Sequence, residues 1–384
     1  MIKKGWLFVL PWSPEAIGGV SVVVVELCKA INRQSQYKPY ILVEDWSAKR
    51  PKIIEKSDYI EIKYRLRRYS PEFCREKISF LLHYPYTLFT LLKIIKNYNI
   101  QVINPHYPSL SIMNLLLLKL LIKKIHFILS FHGSDLSDIR HKMNEVKAWH
   151  FIFEHVERVI SCSRGMSERL ISVFPQITAK SEHIHNGISS HFFMPICRRL
   201  KSVDYKLPSK FILSVGTFEY KKGQDVLIKA FAVIAHKFKD ISLVLVGRAE
   251  NELASYKQLT KELLLENRIY FYENIQPEHM IYFYSKAHLY VSSAREEPFG
   301  MAMLEAAALH VPVITSKTDG GCEIIENDVN GKLVDTNSVI ELTERITELL
   351  TDNKKCDFFA SNLFKKAKYQ YTWDNALKKY LPEN

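Results

Sequence analysis

The chain has 384 residues, 47% hydrophobic and 24% charged, the composition of an ordinary soluble globular protein with enough chain for two full cores. Its net charge of +12 is lopsided, because residues 1–190 hold 27 Lys and Arg against 16 Asp and Glu, a net +11. That half expects an anionic partner, while six scattered cysteines with no CxxC pair argue against a disulfide framework or a zinc site and for a cytoplasmic setting.

The opening "MIKKGWLFVLPWSPE" has the two lysines and apolar run of a signal peptide, but Pro11 cuts the run short and no small-residue cleavage site follows. It reads better as a first buried strand. The turn "SPEAIGG" and a helix at about 20–33 come next, then strands "KPYILVED", "QVINPH", "IHFILSFHG" and "RVISCS". Between these lie two helix-length apolar-basic segments, "YTLFTLLKIIKNYN" and "SIMNLLLLKLL". The nearest approach to a membrane span, residues 115–131, is broken by Lys119, Lys123 and Lys124.

The polar stretch 195–210 is the best linker. Beyond it the alternation resumes with "KFILSVGTF", the helix "GQDVLIKAFAVIAHKF", "ISLVLVG", "RIYFYEN", "LYVSS" and "PVITS". The pattern predicts two parallel-sheet α/β domains of about 190 residues each.

Ligands of open α/β sheets bind at the carboxyl ends of the strands, so residues there are the candidates. Gly18-Gly19 separates a strand from a helix and permits close approach of a ligand, although glycine pairs also make plain turns. His132 follows a strand directly in "LSFHGSDL"; it reads equally as a structural histidine or a site residue. Lys222 lies just before a helix opening after Gly223, a poor match to the dipole unless an anion sits there too. In "REEPFGMAMLEAAALHVPVIT", Glu297 stands in the loop after a strand and Glu305 about a turn and a half into the next helix. Backbone N–H groups of Phe299, Gly300 and Met301 open that helix and could cradle an anion or sugar hydroxyls, and a carboxylate at Glu305 could grip a ribose diol.

In order along the chain, these pieces resemble the family 4 glycosyltransferases. "EEPFGMAMLE" is similar to that family's paired-glutamate signature, "VGTFEYKKG" to its phosphate loop, "FHGSD" to its first-domain histidine motif, and "IHNGI" at 184–188 to the end of its first domain. "GGCEIIENDVNGKLV" at 320–334 resembles the segment after the donor site, and "YTWDNALKKY" a helix that returns to the first domain. The resemblance implies two Rossmann-like domains facing across a cleft, the GT-B architecture. Residues 1–194 with about 370–384 would hold the acceptor, and residues 195–369 the nucleotide-sugar.

It further implies Glu297 and His132 as catalytic residues at the transferred sugar, and Glu305 at the ribose. Lys222 would meet the diphosphate, with Gly19, Thr217, Phe299, Gly300 and Met301 around the donor. Many relatives carry an arginine where this chain has Thr217, and Arg248 in "VGRAE" is a candidate substitute. The implied reaction is transfer from a UDP- or GDP-sugar with retention of configuration, using no metal or other cofactor. No His/Asp/Glu spacing in the sequence offers a hard-cation site, and the donor loop has no DxD. A related sugar epimerase or phosphorylase, or a non-catalytic nucleotide-sugar scaffold, is the alternative.

The basic half lacks a zinc finger or RNA-recognition motif, so nucleic acid is not the expected partner. "RLRRYS" at 65–70 and "LLHYPYTLFTLLKIIKNYN" interleave cations, aromatics and aliphatics, as a segment in a membrane interface does. The alternative is core helices with solvated lysines. The membrane reading implies a lipid-linked glycan acceptor rather than a soluble one, a peripheral place at the inner face of the cell membrane, and a role in surface polysaccharide (O-antigen, capsule or exopolysaccharide) biosynthesis.

Overall fold

The computed structural model describes residues 3–16, 18–140, 145–194 and 205–382. Residues up to Gly187, with those from Trp373 on, form one compact unit, and Ile188–Thr372 form a second. Cys197 and most of the linker expected at 195–210 lie outside the described residues.

In chain order the first unit contains β1 (Lys4–Leu10), α1 (Gly19–Gln34), β2 (Tyr37–Glu44), β3 (Lys52–Glu55), β4 (Ile60–Tyr64), α2 (Cys74–Asn97) and β5 (Ile100–Pro105). It continues through α3 (Met113–Leu121), β6 (His126–Phe131), α4 (Ser134–Arg140), α5 (Val146–His155), β7 (Arg158–Ser161), α6 (Arg164–Val173) and β8 (Ser181–His183). The second unit contains β9 (Phe211–Val215), α7 (Gln224–Ile234), β10 (Ser242–Gly247), α8 (Leu253–Glu262), β11 (Ile269–Glu273), α9 (Met280–Lys286) and β12 (Leu289–Ser292). There follow α10 (Met301–Ala308), β13 (Val313–Ser316), α11 (Asp319–Ile324), β14 (Lys332–Val334), α12 (Val339–Thr351) and α13 (Asn353–Gln370). The last helix, α14 (Trp373–Tyr380), packs on α1 in the first unit.

The first sheet has the order β3-β4-β2-β1-β5-β6-β7-β8, parallel except where edge strand β3 runs against β4. Central β1 reads "WLFVL" because both its faces are covered, and all five residues are buried. The second sheet, β11-β10-β9-β12-β13-β14, is parallel throughout and packs Ile212, Leu227, Phe231, Leu243 and Ile346 into one core. In each sheet the chain first builds outward on one side and then restarts on the other, between β1 and β5 and between β9 and β12. These are the switch points at which open α/β sheets leave a crevice for ligands.

Some elements depart from expectation. β3 and β8 carry little apolar signal, since every residue of "KIIE" is exposed and β8 is "SEH". α2 begins twelve residues before the apolar-basic stretch that announces it, with Pro85 inside it. Although no uninterrupted apolar run predicts a span, α2 is long and apolar enough to cross a membrane. Its Phe80, Thr87, Leu91 and Ile94 are nevertheless buried within the unit. Among the described residues, Cys28, Cys74, Cys162, Cys322 and Cys356 are in no disulfide.

Candidate functional site

In the second unit the switch point joins two loops. After β9 the chain passes Gly216 and Thr217, makes one tight turn over Tyr220–Lys222, and reaches Gly223 at φ +63°, where α7 begins. A side chain at Gly223 would put its Cβ 2.1 Å from the carbonyl oxygen of Ser293, so only glycine lets the loop after β12 lie this close. Ser293 Oγ donates to the Gly223 carbonyl at 2.7 Å and fastens the two loops together. Arg295 adds a brace: its guanidinium donates to both oxygens of Asp225, each at 2.8 Å, and lies 3.9 Å from the centre of the Tyr220 ring. Its backbone N–H donates to the Lys221 carbonyl.

This bracing brings Lys222 and Glu297, 75 positions apart, into an ion pair of 2.7 Å with both side chains about four-fifths buried. Buried pairs of this kind repay their desolvation only when well placed. Here the loop path through Gly223 does the placing. The carbonyl of Glu297 accepts from the Gly320 N–H at 2.8 Å, and a Cβ on Gly320 would lie 2.1 Å from the Phe299 carbonyl oxygen. Phe299 is buried, Gly300 takes the left-handed φ of +100° that turns the chain into α10, and Met301 is the half-buried first residue of that helix.

Glu305 projects from α10 among buried Leu304, Ala306 and Ala307 and is itself half-buried. Burial pushes its carboxyl up to about 7, against the pull of the Tyr284 hydroxyl, which donates to Oε2 at 2.7 Å. Thr217 sits in the loop with its carbonyl accepting from Gln224 Nε2 and brings no cation. Arg248 lies beside this loop, since Phe218 N–H donates to its carbonyl, but its guanidinium pairs with Glu250 at 2.8 Å. Thus Lys222, Glu297, Phe299, Gly300 and Met301 converge on two adjoining loops, with Glu305 one turn behind them.

His132 and Gly19 belong to the first unit, at the carboxyl edge of its sheet. Gly19 opens α1 with no side-chain cap, and a Cβ built there meets nothing within 4 Å, so the backbone stands open to a ligand. His132 follows β6, its N–H donating to Asp135 Oδ2 at 2.8 Å, and its Nε2 lies 2.9 Å from Nδ1 of His106. The two rings stack with centroids 5.1 Å apart. Burial pushes the His132 imidazole down to about 4 and that of His106 well below the usual range. Sequence reading passed over His106 as the end of a strand. The signal was present, because a histidine closing "QVINPH" stands at the same edge as His132.

Glu44, ending β2 at that edge, was also missed. It accepts from Ser111 Oγ, and burial pushes its carboxyl up to about 7, against the pull of that hydrogen bond and of Arg68. Within "RLRRYS", Arg68 pairs with Glu145 and Arg65 donates to the Trp46 carbonyl, so these two cations have partners in the fold.

The profile described as glycosyltransferase family 4 matches residues 17–192, and that described as glycosyl transferases group 1 matches residues 200–366. An uncharacterized glycosyltransferase of Methanocaldococcus jannaschii is 28% identical over 228 residues, 58% of either chain. Among solved structures, sucrose-phosphate synthase from Thermosynechococcus elongatus has a TM-score of 0.75 at 20% identity, covering 98% of this chain and 97% of that one. HepE of Anabaena, solved in complex with UDP, has a TM-score of 0.77 at 16% identity, with 98% of each chain covered.

Proposed function

Because the chain belongs to glycosyltransferase family 4 and has its GT-B fold, we propose that it transfers a sugar from a UDP- or GDP-sugar to a glycan acceptor with retention of configuration. The observation that carries the reading is the Lys222–Glu297 pair at the β9/β12 switch point, one loop from Glu305. A diphosphate brings an anion that can share Lys222 with Glu297, and the N–H groups opening α7 and α10 add positive potential where leaving-group charge grows. Glu305 accepts from the ribose diol, Glu297 orients the transferred sugar, and His132 contacts that sugar. Gly19 leaves room for backbone contact with phosphate or acceptor.

In the transfer, the bond from C1 to the leaving phosphate oxygen breaks as the acceptor oxygen attacks the same face. The acceptor proton passes to that phosphate oxygen. No resident metal is assigned a part, since Lys222 and the helix N-termini supply the positive charge.

The acceptor is a lipid-linked glycan of a surface polysaccharide, and the enzyme works peripherally on the cytoplasmic side of the membrane. Support comes from α2, whose Ile78, Leu81, Leu82, Tyr86 and Phe89 line one exposed stripe, Leu82 being 74% exposed. Arg75 and Lys77 stand at one end of that stripe, and Lys93 and Lys96 at the other. Such a helix can lie in the interface plane, with apolar groups inserted and cations at anionic headgroups.

The test is a panel of UDP-, GDP- and ADP-sugars scored by thermal stabilisation, followed by transfer with the best donor and assignment of the product's anomeric configuration. Stabilisation by one nucleotide series with retained configuration is expected. Binding without turnover on any acceptor, or C2 inversion of the donor, would instead support the scaffold or the epimerase.

A further inference from the structure

His132 does not stand alone at its sheet edge; it ends a chain of three polar side chains, the inner two, Asn104 and His106, buried, whose hydrogen-bond directions can be worked out from one fixed point. That point is Asn104, fully buried near the end of β5. One end of its amide faces the backbone carbonyl of Ile128 at 3.1 Å and the hydroxyl of Ser130 at 3.0 Å. A backbone carbonyl can only accept, so the nitrogen must face it and the amide oxygen must point the other way. That oxygen lies 3.1 Å from Nε2 of His106. It can only accept, so His106 carries its proton on Nε2.

The next step depends on His106 being neutral. The ring is fully enclosed, edge-on to Phe8 at 5.5 Å and stacked on His132 and Tyr380, and burial holds its basicity well below the usual range. A neutral ring protonated on Nε2 has a bare lone pair on Nδ1. That lone pair lies 2.9 Å from Nε2 of His132, which must therefore donate. His132, also neutral because of its burial, is left with an unprotonated Nδ1, which forms no hydrogen bond among the described residues.

We propose that Asn104 and His106 are positioning residues that hold His132 as its Nε2–H tautomer, so that it presents a lone pair, not a proton, to the bound ligand. The group it reads is then a hydrogen-bond donor such as a sugar hydroxyl. An acceptor-only group, a carboxylate or phosphate oxygen, is turned away there. This rests on the reading that His132 contacts the sugar.

The experiment is long-range nitrogen–proton correlation NMR on the full-length protein with 15N-labelled histidine, assigning His132 and His106 by their loss in single variants. In the wild type both rings should show the pattern of the Nε2–H tautomer. An Nδ1–H pattern at His132 overturns the proposal.

Two variants separate positioning from mere packing. His106→Gln keeps the direction of the chain, with its amide nitrogen donating to Asn104 and its amide oxygen accepting from His132. It should hold the His132 tautomer and keep single-turnover transfer within about twofold. His106→Phe keeps an aromatic ring but removes the acceptor; His132 should then show a tautomer mixture and transfer should fall about tenfold, the loss of one hydrogen bond. Equal behaviour of the two variants overturns the proposal. If the wild-type tautomers are as expected but His132→Ala transfers at the wild-type rate, the relay stands and the reading of His132 as a sugar contact falls.

Discussion

Glu305→Gln should make the ligand-free protein more stable at high pH while weakening its grip on the donor. Burial raises the carboxyl from its ordinary 4.5 to about 7, so the folded state resists ionising Glu305. A raised carboxyl is a stability cost that is absent below the unfolded value and grows as pH rises through the window from 4.5 to 7. Once fully developed above pH 7 this cost is about 3 kcal/mol at most, because the group is only half-buried. At pH 5 less than about 1 kcal/mol of it has developed. Glutamine is nearly isosteric and keeps an oxygen to accept from Tyr284, so it removes the charge without removing that hydrogen bond. Thermal unfolding of both proteins from pH 5 to 8.5 should show curves that meet at the acid end and separate, with the variant above. Donor affinity should move the other way, rising with pH in the wild type as the carboxylate forms. In the variant it should be roughly ten- to a hundred-fold weaker, the loss of a charged hydrogen bond to the diol. A variant no more stable than the wild type at pH 8 would mean that burial does not oppose ionisation of Glu305, and equal donor affinity in a well-folded variant would remove Glu305 from the ribose.

Lys222→Ala should slow single-turnover transfer at saturating donor by ten-fold or more, because the charge acts where diphosphate negative charge develops; a wild-type rate would return Lys222 to being a structural partner of Glu297. Gly223→Ala should destabilise the protein by about 2 to 4 kcal/mol in denaturant melts, since the left-handed backbone and the Ser293 carbonyl both oppose a Cβ; a neutral effect would mean the two loops are not held as described. Sedimentation with anionic vesicles should show binding that collapses as salt rises, at about 1 kcal/mol for each near-surface cation. Replacing both Leu82 and Phe89 of α2 by Glu should abolish it; equal, negligible binding to anionic and neutral vesicles would favour a soluble acceptor.

The parallel sheets were legible because their central strands are buried on both faces and so appear as short unbroken runs, as in "WLFVL" and "SLVLVG". Edge strands β3 and β8 have no such need and left no pattern. The start of α2 was hidden because its first turn, residues 74–77, is exposed and mostly polar, and Pro85 stands inside the helix. At the candidate site, the placing of Glu297 in the loop after β12 and of Glu305 on α10 could be read from one strand–loop–helix unit. What the sequence could not reveal was contact between distant segments: the Lys222–Glu297 pair, the Arg295–Asp225 brace and the Tyr284 hydroxyl on Glu305 all join residues 21 to 75 positions apart. The same limit hid the relay behind His132, whose direction depends on a carbonyl of a neighbouring strand.

The most direct measurement is a crystal structure of the full chain soaked with the nucleoside diphosphate of its best donor. The ribose hydroxyls are expected within hydrogen-bond distance of the Glu305 carboxylate, and the diphosphate against Lys222 and the N–H groups around Gly300. A nucleotide bound elsewhere, or one seated at the β9/β12 switch point with its ribose turned away from Glu305, would contradict that placement.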